Sequence, residues 1–170
     1  MKVLLLFLSL FGASSPLDRL MTQIHQTPAS TVHTVIPMDD DFREETLRLA
    51  NIMENDLGAT VKFAKPELEN AIGSTDLETR QVFIDENLKW HARFETLAHE
   101  GGHLFHPRAL FRQEGEVFAE AVMVLVCERA GDRGVLARSA QYLANAKGAL
   151  HILKDYRFEI ERAARILEGR

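Results

Sequence analysis

The chain has 170 residues, 46% of them apolar, enough for one sizeable core and too few for two ordinary domains. Its 20 Lys and Arg against 25 Asp and Glu give a net charge of −5, and no long basic run is available to neutralise a phosphate backbone, so direct nucleic-acid binding is not expected. Cys127 is the one cysteine, which excludes an intrachain disulfide, and its place directly after the apolar run 122–126 suits a small buried core residue rather than a reactive thiol.

Along the chain, Lys2, the apolar run 3–11 and then Gly12, Ala13, Ser14 and Ser15 have the layout of a secretory signal, too short to span a bilayer. Against that layout stand the single basic residue and Pro16, and Met21 and Met38 are alternative starts. Residues 1–15 are thus either a signal peptide or a mis-assigned start, and no transmembrane span is expected. Residues 16–40 mix Ser, Thr, Pro, His and Asp without sustained periodicity and are expected to be a poorly ordered linker. The folded domain is expected over 41–170.

Leu49, Ile52, Met53 and Leu57 recur at helical spacing, with Asp40 or Asp41 available to cap the start and Gly58 to end the helix. Residues 60–64 and 79–85 are short and rich in β-formers, separated by Pro66 and the turn-like Gly73, Ser74, Thr75 and Asp76, which predicts a small antiparallel sheet. Phe94, Leu97, Ala98, Gly101 and Leu104 then trace one face of a helix that Pro107 should terminate. Further helices are expected at 114–130, stopped by Gly131, at 135–146 and at 151–167. The fold class is α+β and mostly helical.

His99 and His103 are four apart, so on a helix their rings leave one face a turn from each other and can share a tetrahedral metal. Glu100, beside the first histidine, is placed to take a proton from a water on that metal rather than to bind the metal itself. A catalytic zinc needs a third protein ligand, and the next helix offers Glu114, Glu116 and Glu120. Glu120 interrupts an otherwise apolar run, 117–127, and a carboxylate buried there needs a cation or good hydrogen bonds. Glu116, four residues earlier, shares its face. Glu116 is assigned as the ligand and Glu120 as the carboxylate that holds a histidine ring by its second nitrogen. The reverse assignment stays open at this point.

His106 is a rival ligand, but on a continuous helix it would lie about 10 Å from His99 along the axis, too far for a shared metal, and it is expected at the rim. His25, His33, His91 and His151 have no partner at ligand spacing and are expected to be surface residues. Gly101 and Gly102 each cost a helix roughly 1 kcal/mol relative to Ala, which a close approach to substrate or to a neighbouring helix would offset.

The segment from Phe94 to His103, followed by Glu116, Val117, Phe118, Ala119 and Glu120, resembles the ImmA/IrrE family of zinc metallo-endopeptidases, and the related zincin domain of ArdC-type antirestriction proteins is about as similar. The preceding Val82, Phe83, Ile84 and Asp85 also resemble the strand these domains place before the histidine helix. The resemblance covers roughly residues 42–168. It implies a compact zincin-like domain, zinc on His99, His103 and Glu116, Glu100 as general base, and a protein or peptide substrate, in some members a repressor. Gly101 stands where a larger apolar residue is usual, no repressor-type DNA-binding domain accompanies this sequence, and Tyr142 matches an ArdC-like tyrosine whose usual tryptophan four residues on is Ala146 here. The resemblance favours the cytoplasm, and a true signal at 1–15 would favour export. The alternative to hydrolysis is a zinc-binding regulatory or interaction module without turnover.

Overall fold

A computed structural model describes residues 15–28, 41–66, 71–107, 110 and 112–170. Among these residues the chain forms α1 (Pro16–Gln26), α2 (Arg43–Asn55), β1 (Thr60–Phe63), β2 (Gly73–Asp76), β3 (Gln81–Ile84), α3 (Trp90–His103), α4 (Arg112–Arg129), α5 (Val135–Ala144), α6 (Ala149–Asp155) and α7 (Arg157–Leu167). The mostly helical α+β class expected from the sequence is what the structure has. No described helix is long and apolar enough to cross a membrane.

The core is built around α4, whose residues from Val117 to Cys127 are buried apart from Glu120. Helix α3 packs along it, α2 and α7 close one side, and α1, α5 and α6 close the other. Cys127 is fully buried, and burial raises its thiol pKa, which keeps it an inert core side chain.

Three expectations are corrected by the packing. Residues 16–26, expected within the linker, form α1: Ser15 Oγ accepts from the Asp18 amide at 3.1 Å, Pro16 starts the first turn, and Leu17, Leu20 and Ile24 are buried at helical spacing. Residues 29–40 and 1–14, including the rest of the linker and of the signal-like run, lie outside the described residues. The sheet is mixed rather than antiparallel. Its order is β1-β3-β2, with β1 parallel to β3 and β2 antiparallel to it, because the segment read as a turn at 73–76 is itself the edge strand. The helix expected over 151–167 is divided at Tyr156 into α6 and α7.

The two glycines of α3 lie where helices meet. A Cβ on Gly102 would stand 2.8 Å from the Ala119 Cα of α4, and one on Gly101 would stand 3.1 Å from the Leu167 side chain of α7. Their absent side chains let α3 approach both neighbours, which offsets their low helix propensity.

Candidate metal centre

Helices α3 and α4 set the site by their close packing. His99 and His103 project from α3 toward Glu116 and Glu120 on α4, each pair being one turn apart on its own helix. His99 Nε2 lies 3.3 Å and His103 Nε2 3.7 Å from the same oxygen, Glu116 Oε2. One donor atom from each of these three residues falls within 4.8 Å of the others. On the opposite edge of the His99 ring, Nδ1 lies 3.2 Å from Glu120 Oε2. The four residues singled out by spacing are therefore brought together, with Glu116 facing both Nε2 atoms and Glu120 facing the second nitrogen of one ring.

The imidazoles and carboxylates of this cluster shift one another's proton affinity. Burial disfavours a charged His99, but the hydrogen bonds to Glu116 and Glu120 outweigh it and raise the imidazole pKa to about 10. Glu116 is held far below the usual carboxylate range, first by His103 and then by His99. Two imidazoles and a carboxylate are a donor set that zinc favours, and the geometry fits such an ion.

Glu100 is buried where α3 meets the sheet, and it lines one cavity with His99 and Glu120 and another with His103 and Glu116. Thr75 Oγ on β2 lies 2.7 Å from Glu100 Oε2 and 3.1 Å from the Glu100 carbonyl, so its hydroxyl ties the carboxylate to the edge strand. Gly73 makes room for this: a Cβ there would meet Thr96 Cγ2 at 2.4 Å and Glu100 Oε1 at 2.9 Å. Neither residue was predicted to matter, since a turn was expected at 73–76.

Two cavities flank Glu100 along β2. One, of 360 Å³, reaches α5 and includes Ile72, Met123 and Tyr142; the other, of 510 Å³, includes Ser74, Thr75, His106 and Arg112. Tyr142 has its hydroxyl pKa raised, by burial and then by the Glu116 and Glu120 charges. His106 lies at the rim as expected, for a different reason: α3 ends at His103, and the His106 ring folds over Gly115, where a Cβ would meet it at 2.6 Å. Burial and the neighbouring His103 lower its pKa.

His91, expected as a bland surface residue, is instead part of a buried charge network. Its Nε2 lies 2.8 Å from Asp132 Oδ2, and Asp132, fully buried, also accepts from Arg138, from the Gly134 amide at 2.8 Å and from the Val135 amide at 3.1 Å. Burial pushes the Asp132 pKa up, but these partners, His91 foremost, bring it below its ordinary value. Arg138 pairs with Glu95 as well. His91, Glu95 and Asp132 could be taken for a second ligand triad, but the Arg138 guanidinium already supplies the cation there. The visible signal was Asp132 just ahead of a helix start, a position where its carboxylate accepts backbone amides.

Comparison with protein-family models, with curated proteins and with solved structures found no match.

Proposed function

We propose that this protein is a zinc-dependent peptidase of the ImmA/IrrE type, in which His99, His103 and Glu116 hold the ion, Glu120 orients the His99 ring and Glu100 is the general base. The observation that carries this reading is the convergence of both Nε2 atoms on one Glu116 oxygen, next to a buried carboxylate that faces a cleft. Bound zinc supplies Lewis acidity and makes water acidic enough to lose a proton near neutral pH.

Glu100 accepts the proton of the attacking water and returns it to the leaving amine. The Thr75 hydrogen bond keeps its carboxylate in one orientation through both transfers. Tyr142, on the cleft wall with its phenol protonated, donates a hydrogen bond to the oxygen that becomes negative as the carbonyl is attacked. A peptide is the substrate that suits the cleft, because β2 is an edge strand whose backbone can pair with an extended segment lying across both cavities.

Glu100→Gln tests the assignment. Hydrolysis of a broad peptide library should fall by roughly 100-fold or more, the usual contribution of a placed general base, while bound zinc stays near one per chain. Loss of zinc in that variant would make Glu100 a ligand and overturn its role. Full zinc content with no cleavage even by the parent chain would leave a zinc-binding module.

A further inference from the structure

His91, Glu95, His99 and His103 recur every four residues along α3 and form one gently winding stripe on its surface. The later half of the stripe belongs to the metal centre. The earlier half belongs to the buried charge network, and its partners lie at the start of α5: His91 Nε2 is 2.8 Å from Asp132 Oδ2, and Glu95 pairs with Arg138. Arg138 and Tyr142 are one turn apart on α5. Glu95, His99 and Tyr142 line a single cavity together with Glu100 and Glu120, so the charge network borders the space that the metal centre faces.

Helix α5 packs chiefly on α1 and α4. Toward α3 it reaches through Arg138, whose Nη2 pairs with Glu95 and also lies 2.8 Å from Asp132 Oδ2. The Glu95 and Arg138 side chains are only 24% and 27% exposed, so neither charge can be left alone without a desolvation cost. Asp132 is fixed in turn, since it accepts the Gly134 and Val135 amides that open α5. Gly134 leaves room for the arrangement: a Cβ there would collide with the Arg138 guanidinium. Tyr142 itself is 47% exposed, so its own packing holds the ring on one side only.

We infer that Arg138 is a positioning residue: by pairing with Glu95 and Asp132 it holds α5 toward α3, so that the Tyr142 ring stays on the cavity of His99 and Glu100. The catalytic consequence rests on the peptidase reading, but the placement of the ring is a structural property that can be measured without turnover.

The first arm of the test uses the zinc-loaded full chain carrying 3-fluorotyrosine. The chain has two tyrosines, Tyr142 and Tyr156, whose ¹⁹F signals are assigned with Tyr156→Phe. Arg138→Gln should move the Tyr142 signal toward that of free fluorotyrosine while the Tyr156 signal and the zinc content stay unchanged. Arg138→Lys, which keeps the charge but lacks the planar fork, should move it part of the way. Gly134→Ala displaces the guanidinium with every charge retained and should move the signal in the same direction, which keeps the test open if Arg138→Gln does not fold. In the second arm, Arg138→Gln should lower kcat for peptide cleavage roughly 10- to 100-fold with little change in KM. It should have almost no further effect in a Tyr142→Phe chain, because both changes then remove the same contribution. A Tyr142 signal unmoved by Arg138→Gln and Gly134→Ala, or equal kcat losses from Arg138→Gln with and without the Tyr142 hydroxyl, would overturn the assignment. A displaced Tyr142 signal in a protein whose parent chain cleaves nothing would uphold the positioning role and remove the peptidase reading.

Discussion

Gly101 and Gly102 are adjacent in α3, yet their missing side chains serve different neighbours. At Gly102 the atoms a methyl group would strike are backbone, the Ala119 Cα and carbonyl oxygen, and α4 cannot move aside without carrying Glu116 and Glu120 with it. At Gly101 the atoms are the ends of the Leu167 side chain, which can rotate away. Gly102→Ala should therefore cost roughly 1–3 kcal/mol of unfolding free energy in urea titrations, while Gly101→Ala should cost less than about 1 kcal/mol, its clash partly offset by improved helix propensity. Equal losses would mean that the two helices do not meet at Gly102 as closely as described. His99, Glu100 and His103 were legible in the sequence because one helix sets their mutual position. Glu120 was legible because a carboxylate amid 11 otherwise buried α4 residues demands a partner. Thr75 and His91 were not, since what gives them meaning lies 25 and 41 residues away, at Glu100 and Asp132.

At the scale of elements, α1 carries the largest difference between expectation and structure. Composition over 16–40 averages a helix-forming stretch with the Pro- and Thr-containing one that follows, and so hides the cap at Ser15 and the spacing of Leu17, Leu20 and Ile24. The helix is also held by charge: Arg157 lies 2.8 Å from Asp18, and Arg19 lies 2.5 Å from Glu128. The Arg157 hydrogen bond, followed by that of Ser15, lowers the Asp18 pKa from 3.8 to about 2. A carboxyl lowered on folding stabilises the native state above its unfolded pKa, and loses that effect as pH falls from 3.8 toward about 2. Both side chains are about two-fifths exposed, so solvent screening holds the contribution under about 1 kcal/mol. Asp18→Asn should thus be slightly less stable than the parent at pH 7, with the gap closing in acid. A gap that persists at low pH would assign the loss to the cap rather than to the ion pair. The mixed sheet was misread for a related reason: β2 is a four-residue edge strand of Gly, Ser, Thr and Asp, which has turn composition and becomes a strand only by pairing with β3.

For the whole molecule, the mostly helical α+β arrangement followed from periodicity, because most of its long helices carry an apolar face that spacing reveals. What periodicity does not supply is which faces meet. The contact of α3 with α4 turns two separated pairs, His99 with His103 and Glu116 with Glu120, into one centre, and the approach of β2 adds Thr75 to it. The central claim is that His99, His103 and Glu116 bind zinc while Glu120 supports a ring. Its most direct test is a competition titration of zinc against a chromophoric chelator for the parent chain, Glu116→Gln and Glu120→Gln. The account predicts one zinc per parent chain, an affinity loss of roughly 10- to 100-fold for Glu120→Gln, and a larger loss for Glu116→Gln. A parent chain that binds no zinc, or a Glu116→Gln chain that keeps the parent affinity, would contradict it.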